Sequence, residues 1–119
     1  MAIDMELRKA FAELQRKMVE TQAQMRISDI QIESLNRDKR KLAITKQEIE
    51  SFPEDTKLYE SVGRMFMLQP RETVKENLDS KHKQADEKIN ELKAKKTYLE
   101  RSVKSSEENL REMVSQRRK

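Results

Sequence analysis

Leu58-Tyr59-Glu60-Ser61-Val62-Gly63-Arg64-Met65-Phe66-Met67-Leu68-Gln69 is the one stretch of this 119-residue chain that reads as strand rather than long helix. Gly63, the only glycine, stands between two strand-like runs, where it accepts positive φ without steric cost and so predicts a tight hairpin turn. Alternation assigns the faces. Leu58 and Val62 share one face of the first strand and Tyr59 takes the other. Met65 and Met67 share a face of the second strand, with Phe66 and Leu68 opposite. The second strand is apolar on both sides and needs cover on both sides.

Working outward, the flanks carry two apolar seams. The first is Leu7, Phe11, Leu14, Met18, Thr21, Met25, Ser28, Ile32, Leu35, Lys39 and Leu42. The second is Leu78, His82, Ala85, Ile89, Leu92, Lys96, Leu99, Val103, Ser106, Leu110 and Met113. Each has 11 positions at alternating steps of 4 and 3, and 8 of the 11 are apolar in a chain that is 34% hydrophobic. A repeat of 3.5 residues is the period with which helices wrap around each other. Two matched seams joined by a connector that reverses the chain predict a mainly α fold: a long antiparallel two-helix coiled coil with one central β-hairpin. Folding one arm on the other pairs Leu42 with Leu78, Met18 with Val103, Phe11 with Leu110 and Leu7 with Met113. Lys39 beside His82, and Lys96 near Met25, are polar intrusions that weaken the seam locally and fix its register.

The whole chain, 1–119, reads as a single domain: a helical arm over 4–51, a hairpin over 56–69 and a second arm over 70–117. Asp4 caps the first arm. Its helix is expected to run to about Ala43, with a short helix restarting at Thr45-x-x-Glu48, a capping-box spacing, and continuing to Ser51. Pro53 forbids further helix and biases Phe52 to extended geometry. Pro70 suits the first position of the next helix, and Glu72 its first turn. The basic residues Arg111, Arg117, Arg118 and Lys119 suit its end.

Composition limits the chemistry. Charged residues make up 40% of the chain and aromatics 4%, a supply too poor for a large globular core. No run of about 18 apolar residues spans a membrane, and the N-terminus has no signal-peptide core. The absence of cysteine removes thiol and disulfide chemistry and fits a reducing compartment. A phosphate-binding loop needs several glycines, and one is present. His82 is solitary and falls on a seam position, so it reads as a structural or partly exposed histidine and not as a metal ligand. The carboxylates lie on solvated helix faces without a cleft to shift them. The expectation is therefore a protein with no catalytic, cofactor-binding or metal residues: a binding protein and not an enzyme.

A two-stranded hairpin is marginal alone in water, and open strand edges recruit other strands. Leu58, Tyr59, Val62, Gly63, Met65, Phe66, Met67 and Leu68 are thus assigned to assembly, in which several such hairpins build an oligomeric sheet or β-barrel; the alternative is that the hairpin packs back on its own coiled coil.

Tyr59-Glu60-Ser61-Val62-Gly63-Arg64-Met65-Phe66 with Met67-Leu68-Gln69 resembles the hairpin of prefoldin β-type subunits. Arg8-Lys9-Ala10-Phe11, Asp29-Ile30-Gln31-Ile32-Glu33 and Tyr98-Leu99-Glu100-Arg101-Ser102-Val103 support the resemblance, which covers nearly the whole chain. A single hairpin suits the β-type; α-type subunits carry two. The resemblance implies a cytoplasmic heterohexamer in which this chain joins two α-type and three further β-type subunits. It also implies capture of unfolded actin and tubulin between coiled-coil tips, without ATP, and their delivery to the cytosolic chaperonin.

The open end of the hairpin of arms is the binding candidate. Ile3, Met5, Leu7 and Phe11 lie on the first tip, and Leu110, Met113 and Val114 on the second. Ile3 and Met5 precede the seam and Val114 sits beside it, so they exceed what pairing needs. Methionine adapts to partners of variable shape, and several weak arms together give avidity. The competing reading is that these residues only finish the coiled coil. Two other classes remain: a structural tether, which leaves the two-faced hairpin unexplained, and a basic nucleic-acid-associated coiled coil. Against the latter, the basic run Arg37 to Lys41 follows the seam, whereas a basic-zipper protein places it before.

Overall fold

In the computed structural model, which describes residues 5–118, the chain runs α1 (Met5–Ser51), β1 (Leu58–Val62), β2 (Met65–Gln69) and α2 (Arg71–Arg118). Asp4, Ile3 and Lys119 lie outside the described residues.

The expected break near Ala43 does not occur. The Thr45 hydroxyl donates to the carbonyl of Lys41, 2.8 Å away, inside one continuous helix. A hydroxyl turned back on the preceding turn cannot cap a new one, so the capping-box spacing is coincidental. The helix stops where Pro53 requires it to. Its last turn tightens: Ser51 Oγ donates to Glu48 O at 2.6 Å, and Phe52 N to Ile49 O at 3.2 Å. A further turn follows, closed by Thr56 N to Pro53 O at 3.0 Å.

β1 and β2 pair antiparallel in the register Leu58↔Gln69, Tyr59↔Leu68, Glu60↔Met67, Ser61↔Phe66 and Val62↔Met65. Gly63 and Arg64 form the two-residue turn. Gly63 has φ +63°, and no non-glycine residue among those described has positive φ. Glycine at the first central position with an ordinary second residue is the type II′ hairpin turn, whose twist matches the strands it joins. Pro70 then opens α2, with Val74 N donating to Pro70 O at 3.1 Å and Glu72 in the first turn.

The helices and hairpin distribute over two compact units, Met1–Gln31 with Glu91–Lys119 and Ile32–Asn90. In the second unit Ile49, Ala85 and Ile89 are buried, while Leu35, Leu42, Leu78 and His82 are half-buried between the helices. Cross-helix ion pairs run antiparallel along it: Lys39 with Asp86, Lys46 with Asp79 at 2.8 Å, and Glu50 with Lys75 at 3.8 Å. Lys39 does lie near His82, but its ammonium goes to Asp86, whose other oxygen is 3.4 Å from His82 Nδ1.

In the first unit Leu92 and Leu110 are buried, as are the polar seam residues Thr21 and Ser28, Ser28 almost completely. Lys96 pairs with Asp29, and Arg117 with Glu6 at 3.0 Å. Here the α1 seam differs from expectation. Ala10 and Lys17 are half-buried, whereas Phe11 is 51% and Met18 43% exposed. From Leu14 the buried stripe steps 3, 4 and 4 residues through Lys17 and Thr21 to Met25. Two successive steps of four, where threes and fours otherwise alternate, are a stutter in the heptad, which keeps a straighter stripe than a strict seven. Lys17 fits because its stem covers apolar surface while its ammonium reaches Ser106 Oγ at 2.9 Å. Leu14 and Ala10, not Phe11 and Leu7, thus share a groove with Leu110 and Met113. Along α2 the expected seam from Leu78 to Met113 is buried or half-buried at every position.

Candidate functional site

The hairpin turns most of its apolar surface outward. Tyr59, Phe66 and Leu68 share one face, set by the pairs Tyr59↔Leu68 and Ser61↔Phe66. All three are exposed, Phe66 by 72%. On the other face Leu58, Glu60 and Gln69 are half-buried, while Val62, Met65 and Met67 are exposed. Gly63 sits at the tip with open space around it. The sheet has only two strands, so both edges carry unpaired backbone groups. A contiguous apolar surface of this kind marks an interaction site and not a solvated loop.

The base of the hairpin is held by a side chain whose role the sequence reading missed. Arg71 Nη2 donates to the carbonyls of Phe52 at 3.0 Å and Pro53 at 2.5 Å. A signal was present: a cation at the first residue of a helix opposes the helix dipole, which suggests service to another element.

At the ends of the arms the seven tip residues separate. Met5 and Phe11 are exposed on α1, and Leu7 is half-buried. Met113 and Val114 are half-buried, and Leu110 is buried and packs between the helices. Ile3 is outside the described residues. Further along α1, Met18 and Met25 line a groove of about 420 Å³ opposite Val103, with Glu100, Lys104 and Glu107 on its α2 side. The doubled step of four that exposes Met18 is legible only once Lys17 is allowed into the seam.

Charge is structural here. Hydrogen bonding to Lys39 holds the Asp86 carboxyl below its usual range, and hydrogen bonding to Asp79 raises the Lys46 ammonium above its usual range. Among the described residues no group of three or more His, Cys, Asp or Glu could hold a metal ion. No helix among them is long and apolar enough to cross a membrane.

The arrangement has close relatives. The family model described as "Prefoldin subunit" matches residues 12–117. The chain is similar to prefoldin subunit 1 of Danio rerio, with 53% identity over 116 residues, and to that of Homo sapiens, with 52% over 116 residues. Each match spans 98% of this chain and 95% of the relative. The fold is that of the crystal structure of the prefoldin beta subunit from Thermococcus strain KS-1. The TM-score is 0.72 at 18% identity, with 94% of this chain and 95% of that one covered.

Proposed function

The chain belongs to the prefoldin subunit family and is a prefoldin chaperone subunit; from that premise we propose that it works as one β-type arm pair of an ATP-independent heterohexamer. Residues 1–119 act as a single prefoldin-like domain. The hairpin residues Leu58, Tyr59, Val62, Gly63, Met65, Phe66, Met67 and Leu68 join those of two α-type and three further β-type subunits in a shared β-barrel. The carrying observation is the uncovered Tyr59, Phe66 and Leu68 face on a sheet of two strands. Burying that face removes apolar surface from water and satisfies the open edges at once, which a two-stranded hairpin cannot do alone.

The arm ends capture unfolded clients in the cytoplasm, such as actin and tubulin, and pass them to the cytosolic chaperonin without nucleotide. Exposed Met5 and Phe11 supply weak apolar contacts, together with Leu7, Met113 and Val114 and with Ile3, which precedes Met5 in the sequence. Leu110 contributes by holding the two tips together. Weak contacts repeated over several arms give avidity without a preformed pocket. The test is native mass measurement of the complex this chain enters, followed by truncation of both tips. A hexamer of unchanged mass that no longer suppresses client aggregation is the expected result. Unchanged suppression would discard the tips as the site, and a monomeric wild-type chain would discard the assembly.

A further inference from the structure

We infer that Arg71 is a positioning residue for assembly: it bridges the end of α1 to the start of α2 and so holds the hairpin in one orientation before a partner binds. The inference rests on the proposed role of the hairpin in assembly. Three observations support it. First, α1 has no basic residue in its last turn, so the helix itself supplies no cation to the negative end of its dipole. Secondly, Arg71 fills that need from α2, where a cation in the first turn is unfavourable for its own helix. Its Nη2 donates to both Phe52 O and Pro53 O, the carbonyls that lie just beyond the end of α1. Thirdly, the contact joins the two stems of the hairpin. The segment enclosed between Pro53 and Arg71 contains the Pro53–Thr56 turn, β1, the Gly63 turn and β2.

The physical consequence is preorganisation. A hairpin on two untied stems samples many orientations, and a partner must select one of them. Closing the loop at its base removes that freedom in advance. Lys75 and Glu50, at 3.8 Å, brace the helices beside it. Arg71 Nε is shielded and without a hydrogen-bond partner, and both carbonyls are met by Nη2. Pro53 O also accepts from Thr56 N at 3.0 Å, so Arg71 ties that turn itself to the start of α2.

The test uses the full chain and three forms of it: wild type, Arg71→Met and Arg71→Lys. Methionine keeps the apolar stem and removes the cation, while lysine restores a cationic donor of similar reach. Hydrogen exchange on the chain alone is expected to show hairpin amides from Leu58 to Gln69 exchanging about tenfold faster in Arg71→Met, with arm amides unchanged. Arg71→Lys is expected to recover most of that protection. Titration with an α-type prefoldin subunit is expected to need about tenfold more Arg71→Met than wild type for half-assembly. Equal hairpin protection in Arg71→Met and wild type overturns the inference. Uniform loss of protection along the arms also overturns it, because Arg71 would then be a general fold residue. A wild-type chain that fails to assemble counts against the proposed function alone, since the exchange measurement still decides the bridge.

Discussion

Lys39 of α1 donates its ammonium to Asp86 of α2, and the other oxygen of that carboxylate lies 3.4 Å from His82 Nδ1. Lysine at a seam position costs apolar burial, and the pair is too exposed to repay it strongly. Its value is registry. With Lys46 to Asp79 and Glu50 to Lys75, it selects one antiparallel alignment of the helices in the second unit.

The pH dependence of these pairs has a definite sign. Asp86 is lowered by Lys39, so its contribution is complete above the ordinary carboxylate range and is lost as pH falls through the folded value. Lys46 is raised by Asp79, so its contribution is complete below the ordinary lysine range and is lost as pH rises through its folded value. Neither group contributes a slope between about pH 5 and 9. Thermal melts followed by circular dichroism are expected to show a shallower acid decline in Asp86→Asn than in wild type. A decline of unchanged slope would dismiss the pair as a source of acid sensitivity.

Ile89 is 5% exposed and Phe11 51%, although both stood on the expected seams. Ile89→Ala is expected to destabilise the helices by about 2–4 kcal/mol, through lost transfer energy and a residual cavity. Phe11→Ala is expected to cost under about 1 kcal/mol. Urea titration of both variants compares them directly. Equal losses would restore the regular heptad through Phe11.

Phe66 is exposed and pairs with Ser61 on the open face of the hairpin. Phe66→Asp is therefore expected to leave helicity unchanged and to block incorporation, because the charge would be buried unpaired only in the assembled state. Co-purification with the partner subunits is the measurement, and normal recovery of the variant would refute the assembly face.

Gly63 has φ +63°, and a β-carbon placed on it would meet no atom within 4 Å, so only the backbone opposes substitution. Gly63→Val is expected to destabilise the hairpin by about 1–2 kcal/mol. Gly63→Asn is expected to cost much less, since asparagine enters this conformation more readily. Amide exchange across Leu58 to Gln69 reads both changes. A tolerated valine would mean that the turn rearranges.

Two helical arms, a hairpin between them and the faces of that hairpin follow from the sequence alone. These rest on short-range rules: Pro53 and Pro70 delimit the helices, the sole glycine makes the turn, and alternation places Tyr59, Phe66 and Leu68 together. The candidate assembly surface was therefore legible almost residue by residue. The arm ends were less so, because hydrophobicity alone ranks Phe11 and Met18 above Ala10 and Lys17. Only packing against α2 decided between them: a small residue permits close approach, and a lysine stem bridges to Ser106. The same holds for Thr45, whose hydroxyl prefers its own helix, and for Arg71, whose acceptors at Phe52 and Pro53 are remote in the chain. Local pattern names the elements, but which side chain enters a shared interface depends on the surface it meets.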